Sequence, residues 1–253
     1  MVVKFFAPLF AAGFAAEVAA LKFLAPVATL SPRLIEAGSI DGWNYVLMTQ
    51  LRGCSLKQSW PGLSAQEQRL ACFNVGSALR TIHALPVDGQ KVTASGWSDF
   101  LGVQLRGCVE RQERLGLDAA IVRQIDSFLA RVDLHERDRQ VFLHTEVMRD
   151  HVFFERSARS LAFSGFIDFE PSMIGCAEYD FAAVGIFLSC GDAHALRAFF
   201  AGYGSLPAVN SREFRRRIMA YTLLHKYSNL CWYLEFMPRA SSLDELADLW
   251  WAV

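Results

Sequence analysis

Two short apolar runs, residues 140–143 and 152–155, are joined by a connection in which His144, Thr145, Glu146, Asp150 and His151 crowd together. A turn between strands needs one or two polar residues, usually Gly or Asn. A third apolar run, 161–167, ends on Asp168, with Glu170 two positions on. Carboxylates at a strand end are the oxygen donors that a hard cation takes. The crowding therefore reads as a site rather than a plain turn for Glu146 and Asp168, and is open for Asp150. It also constrains the fold, because it fixes a tight β cluster at 140–167 inside an otherwise helical half of the chain.

The rest of the chain is read around that cluster. Residues 1–6 are β-compatible, and residues 10–25 have helical spacing closed by Pro26. The runs 33–40 and 43–51 flank Asp41-Gly42, a strong hairpin signal. Residues 52–62 carry Gly53, Pro61 and Gly62 and read as a linker. Ser64 with Glu67 forms a capping box that opens a helix to about residue 85. Helical patterns follow at 97–114 and 117–132, and again from Tyr179, with breaks near 191, 202–207 and 238–242. The order is α+β: a small strand-rich lobe at 1–52, then a mostly helical lobe at 53–253, and ligands favour the crevice between such lobes.

Charge and cysteines exclude several classes. The formal net charge of −1 gives no electrostatic footing for nucleic acid. The basic run 212–217 lies on a helical pattern and reads as a solvated face. The six cysteines show no metal-ligand spacing, so buried, reduced thiols in a cytoplasmic protein are expected. Lys4 followed by an apolar stretch resembles a secretory signal, but the helical pattern runs on past Glu17 without a hydrophilic start. Glu17 and Lys22 also interrupt it before the roughly 20 residues of a membrane span.

Moving a phosphoryl group from a nucleotide needs a cation on the donor phosphates and a carboxylate at the acceptor. It also needs metal ligands and a backbone edge for the base. Each has a candidate here. Lys4 in the first strand can be aimed by Glu17 in the first helix; alone, that pairing is weak. The sequence resembles the aminoglycoside phosphotransferase and choline kinase family, which has a protein-kinase-like fold. The likeness rests on His144–His151 as the HxDxxxxN loop, Ile167-Asp168-Phe169-Glu170, and the stretch from Gly175 through Tyr179 and Asp180. Val3-Lys4, Glu17, residues 45–53 and residues 79–85 also fit, and a hygromycin-B-kinase-like member is the nearest in character.

The resemblance implies a two-lobe fold with a truncated small lobe and roles for named residues. Lys4 would contact the nucleotide phosphates, held by Glu17, and the backbone of Met48, Thr49, Gln50 and Leu51 would face the base. Glu146 would be the catalytic base, Asp168 the main Mg²⁺ ligand and His151 a second one. His144 and Asp180 would brace the loop. The cofactors implied are ATP, or another nucleoside triphosphate, and Mg²⁺. The partner is a small hydroxylated molecule, an aminoglycoside-type antibiotic first of all, with neither nucleic acid nor membrane expected. A cationic acceptor calls for an acidic cleft, to which Glu170, Glu178, Asp192, Glu235, Asp244, Glu245 and Asp248 could contribute.

Three departures shape the expectation of activity. Glu146 stands where the family has aspartate, and His151 where it has asparagine. The two strands and the phosphate-covering turn that the family places before its lysine strand have no counterpart ahead of Lys4. The start is then expected upstream, or the chain is a remnant with weak activity. A kinase for choline, homoserine or a sugar is the alternative enzyme, and a catalytically silent binding protein is the alternative outside catalysis.

Overall fold

The computed structural model describes residues 1–88, 96–134, 139–157, 161–204 and 211–253. Strands β1 (Val2–Phe6), β2 (Leu34–Ile40) and β3 (Trp43–Met48) form an antiparallel sheet in the order β1-β3-β2. Asp41 and Gly42 close the β2–β3 hairpin, both with positive φ (50° and 81°), the handedness that matches the twist of paired strands. Side chains alternate across a strand, so in β1 Lys4 and Phe6 share one face while Phe5 is exposed on the other. Helix α1 (Ala11–Phe23) covers the inner face, where Phe14 packs edge-on to Phe6 at 5.8 Å. Among the described residues β1 pairs with β3 alone and so forms an edge of the sheet.

The expected linker at 52–62 is built structure. Cys54–Ser55 (β4) pairs with the later strand Val152–Arg156, and Ser55 caps a helical turn, α2 (Leu56–Ser59), through a capping box with Gln58. Gly53 has φ +78°, and a Cβ there would lie 1.9 Å from the Phe154 carbonyl oxygen. Only glycine permits this approach.

Helix α3 (Ala65–His83) begins at the expected Ser64–Glu67 capping box, and α4 is Trp97–Arg114. The single helix expected at 117–132 is two short ones, α5 (Ala119–Val122) and α6 (Ile125–Leu129). Gln124 between them is engaged elsewhere: its amide donates to the Ser241 carbonyl and accepts from the Leu243 N–H.

The β cluster follows as β5 (Val141–Leu143), β6 (Val152–Arg156), β7 (Leu161–Phe166) and β8 (Met173–Gly175). β4, β6 and β7 make one antiparallel sheet, and β5 pairs with β8, a strand not anticipated from the sequence. The β5–β6 and β7–β8 connections therefore lie side by side.

The remaining helices are α7 (Glu178–Ala183), extended by a π-helical stretch Val184–Ser189, then α8 (Ala193–Tyr203), α9 (Arg212–Leu224), α10 (Leu230–Phe236) and α11 (Leu243–Trp251). The expected break at 202–207 falls partly outside the described residues. α3 and α8 cross closely at two glycines: a Cβ on Gly76 would meet the Phe199 carbonyl at 2.1 Å, and one on Gly202 the Phe73 carbonyl at 2.0 Å.

The basic run in α9 is not a solvated face. Arg215 pairs with Asp248 and Arg216 with Asp244, while buried Arg217 holds Glu178 with two hydrogen bonds of 2.5 and 2.9 Å. α9 packs against both α7 and α11, whose acids face it. None of the six cysteines forms a disulfide; Cys72, Cys108 and Cys176 are buried as expected, whereas Cys190 is exposed. No described helix is long and apolar enough to cross a membrane.

Candidate active site

Lys4 sits at the meeting point of three segments. Its Nζ lies 2.6 Å from Asp168 Oδ1, 3.0 Å from Glu17 Oε2 and 3.5 Å from Glu170 Oε2. Glu17 is 1 % exposed on α1, and a buried carboxylate needs such a partner. Burial by itself would lower the Lys4 pKa, but Glu17 and then Asp168 outweigh it and raise it, so the ammonium stays charged. Burial would likewise raise Asp168. The hydrogen bond and charge of Lys4, helped by His151, hold it below its usual value.

The β5–β6 and β7–β8 connections are tied to each other. The His151 carbonyl accepts from the Ile167 N–H at 2.9 Å, and His144 Nε2 donates to the Ile167 carbonyl at 2.9 Å. His144 Nδ1 accepts from the Glu146 N–H. One ring nitrogen donating and the other accepting is the pattern of a neutral imidazole, and burial pushes the His144 pKa down to about 4.

The loop backbone is braced from below. Asp180, fully buried, accepts from the N–H groups of His144 (3.0 Å) and Thr145 (2.5 Å) and pairs with His83 Nε2 at 2.9 Å. Thr145 has φ +70°, a conformation β-branched residues avoid. Its N–H is held by Asp180 and its carbonyl by His225 Nε2 at 2.9 Å, so the strained turn is fixed at both ends. Asp168 also lies in the left-handed region, with φ +67°. That turn sends Glu170 back toward α1, where Gly13 leaves room for it: a Cβ on Gly13 would touch the Glu170 side chain at 2.8 Å.

Glu146, His151 and Asp168 come together with one potential ligand atom each, all within 4.8 Å of one another. The Glu146 carbonyl can only accept, so His151 Nδ1, 3.1 Å away, carries its hydrogen. In the neutral ring the Nε2 lone pair is then the free one, 3.5 Å from Asp168 Oδ2. Two carboxylates and an imidazole fit a divalent cation. Burial raises the Glu146 pKa; His151 opposes the shift and Asp168 adds to it.

Two cavities flank this cluster. The first, about 440 Å³, is lined by Val2, Lys4, Glu17, Pro32, Asp168 and the strand exit Met48–Leu51. The β ladder stops at Met48, and the Thr49 N–H is taken by the Arg33 carbonyl. Gln50 and Leu51 then run along the cavity wall. The second, about 420 Å³, is lined by Glu146, Asp150, Lys57 and Arg149 together with aromatic residues of α10 and its approach. Glu146 thus opens onto one cavity and Asp168 onto the other.

The sequence candidates Lys4, Glu17, Glu146, His151, Asp168 and Glu170 are gathered at one point. Asp150 lines the second cavity with Glu146 and is paired with Lys57 at 2.8 Å. The expected acidic acceptor cleft is absent among the described residues. Glu178, Asp244 and Asp248 are bound to arginines of α9. Asp192 caps α8, Glu245 accepts from the Ser241 N–H and hydroxyl, Glu235 is exposed outside the cavity, and Glu170 faces Lys4. His83 and His225 carry no role in the sequence reading, although the segment holding His83 does. His225 lies 80 residues from the Thr145 carbonyl it serves, so no local pattern could mark it.

This arrangement of lysine, paired carboxylates and a braced loop can be compared with known proteins. A model of the phosphotransferase enzyme family matches residues 1–217. The chain belongs to that family. A search of curated protein sequences found no match. Solved structures similar to it include the GDP complex of aminoglycoside 2'-phosphotransferase-IIIa, with TM-score 0.69, 17% identity, and coverage of 94% of this chain and 82% of that one. Another is an aminoglycoside phosphotransferase from Streptomyces rimosus in complex with ADP and streptomycin, with TM-score 0.63, 18% identity, and coverage of 88% and 86%. A third is a thermostable mutant of aminoglycoside phosphotransferase APH(4)-Ia, with TM-score 0.59, 18% identity, and coverage of 93% and 83%. At these identities the likeness shows the kinase-like fold, and the phosphotransferase family supplies the class of chemistry.

Proposed function

We propose that this protein transfers the γ-phosphoryl group of ATP, or another nucleoside triphosphate, to a hydroxyl of a small molecule. Residues 1–52 would form the nucleotide-binding lobe and residues 53–253 the lobe that carries the catalytic loop and the acceptor. The observation that carries this reading is the position of Glu146 on one cavity and Asp168 on the other, with their ligand atoms no more than 4.8 Å apart. A phosphoryl group held between them would have a cation-binding carboxylate on the donor side and a base on the acceptor side.

In this reading Lys4 holds the donor phosphates, and Glu17 keeps its ammonium charged and aimed. Met48–Leu51 line the wall where the base lies. Asp168 and His151 would hold the divalent cation, whose bound charge offsets that developing on the phosphates. Glu146 takes the proton of the acceptor hydroxyl. The acceptor oxygen then forms its bond to the γ-phosphorus as the bond to the β,γ-bridging oxygen breaks, and the nucleoside diphosphate leaves with the electron pair. His144, Asp180, His83 and His225 position the loop without touching the reacting atoms.

The names of solved relatives support an aminoglycoside-type acceptor, and the proposed use of a nucleoside triphosphate, with six cysteines in no disulfide, fits a cytoplasmic setting. ³¹P NMR of the protein with Mg·ATP and an acceptor panel tests the reading. Formation of a phosphomonoester matched by ADP supports it, and its failure with every acceptor while ADP still binds would leave a nucleotide-binding protein without transfer.

A further inference from the structure

The second cavity is unlike a receptor for a polycation. Its wall is formed by Met148, Phe187, Tyr227, Trp232, Tyr233 and Phe236. Tyr227, Trp232 and Phe236 are 52%, 46% and 42% exposed, an open aromatic surface at the mouth of a concave site. Phe187 lies tilted against Trp232 and Phe236 at 5.6 and 6.3 Å and meets Tyr233 edge-on at 5.5 Å. The four rings hold one another in place, as a rigid apolar platform requires.

The charges around it lean the other way from an acidic cleft. Lys57 neutralises Asp150 at 2.8 Å. Arg149 stacks on Trp60 at 3.5 Å and donates to the carbonyls of Leu188 and Ser189, and Asp192 acts on it only through its charge. Lys226 acts electrostatically on Glu146, which leaves Glu146 as the cavity's one carboxylate without a lysine or arginine bonded to it among the described residues. An acceptor bearing several ammonium groups would face Lys57 and Arg149, with Asp150 already paired and one reacting carboxylate to balance it. An uncharged aromatic or alicyclic body would instead cover the exposed rings and bring its hydroxyl to Glu146.

We infer that the acceptor is a neutral alcohol with an apolar, ring-containing body, seated on Phe187, Trp232 and Phe236 with its hydroxyl at Glu146. This inference rests on the phosphotransferase reading and sets a different acceptor class against the aminoglycoside type that the names of solved relatives support. Phosphoryl transfer would then form an oxygen–phosphorus bond on that alcohol, break the β,γ-bridge of the nucleotide, and pass the hydroxyl proton to Glu146.

Isothermal titration calorimetry on the full chain tests it, with Mg·ADP present, using chloramphenicol and phenyl glucoside as neutral aromatic alcohols against kanamycin and streptomycin. At least one neutral alcohol is expected to bind saturably, and Trp232→Ala and Phe236→Ala to weaken it about tenfold each. Both residues are partly exposed, so their truncation spares the core, and Mg·ADP affinity serves as the folding control. Saturable binding by the aminoglycosides alone, or alcohol binding indifferent to both substitutions, would overturn the inference. So would silence from all four compounds in a protein that binds Mg·ADP, with the nucleotide reading left intact. Alcohol binding without any Mg·ADP binding would support the acceptor site and sink the phosphotransferase reading.

Discussion

Lys4 Nζ and Asp168 Oδ1 are 2.6 Å apart although 164 residues separate them in the chain. The contact joins the edge strand of the first sheet to the turn after β7, across the mouth of the first cavity. A divalent cation would compete with Lys4 for this carboxylate, and a phosphate would compete with the carboxylate for Lys4. Asp168→Asn is the cleanest way to remove the charge, because asparagine tolerates the left-handed backbone found there. The variant is expected to fold, to lose the stabilisation by Mg·ADP seen in a thermal melt, and to lose about 100-fold or more in kcat.

Glu146→Gln separates transfer from nucleotide binding. Loss of a general base costs about 10² to 10⁴ in rate, while Mg·ADP affinity should be little changed. In the unsubstituted protein kcat/KM should fall as pH drops through the Glu146 pKa, since the base works deprotonated. That limb is expected above the ordinary carboxylate value, because burial raises the pKa. A limb that keeps its position in Glu146→Gln would assign it to another group.

His151 offers an imidazole where the family has an amide oxygen. Mg²⁺ prefers oxygen, whereas Mn²⁺ accepts imidazole more readily. Electron paramagnetic resonance of bound Mn²⁺ in the ADP complex should show tighter Mn²⁺ than Mg²⁺ competition in the natural sequence. His151→Asn should shift that preference toward Mg²⁺.

Asp180→Ala should be among the most destabilising single changes. It strands the buried N–H groups of His144 and Thr145 and leaves His83 without its partner. Urea unfolding is expected to register a loss of about 3–5 kcal/mol. A loss below 1 kcal/mol would mean that the loop is held by other contacts.

His144 and His225 give the fold a defined acid sensitivity. Burial holds both at a pKa of about 4, against about 6.5 in the unfolded chain. Between those values the unfolded state binds more protons, so stability is full above pH 6.5 and is lost as pH falls toward 4. Each histidine contributes up to about 1.4 kcal/mol per pH unit in that window. Urea midpoints measured from pH 7 to pH 4.5 check the slope.

Local signals carried much of the fold. The Asp41-Gly42 turn, the Ser64–Glu67 box and the apolar runs around His144–His151 and Asp168 each depend on residues a few positions apart. They place β2, β3, α3 and the β cluster within one to three residues of their observed limits. Glu146, His151 and Asp168 were legible for the same reason: polar residues crowd short loops there. What escaped depends on distant partners. β8 exists because β5 needs a neighbour, and residues 52–62 are ordered because Gly53 lets β4 lie against β6. The acids expected in an acceptor cleft could be assigned only by knowing that α9 faces α7 and α11, where its arginines claim them. His225 was invisible because its partner is a backbone carbonyl, which leaves no mark in sequence.

The most direct test of the central claim is the transfer of ³²P from the γ-position of ATP to a hydroxyl compound, compared between the natural sequence and Asp168→Asn. The account predicts a radiolabelled phosphomonoester with the natural sequence, dependent on a divalent cation, and almost none with the variant. Equal transfer by both proteins, or label appearing in the ester without Asp168, would contradict it.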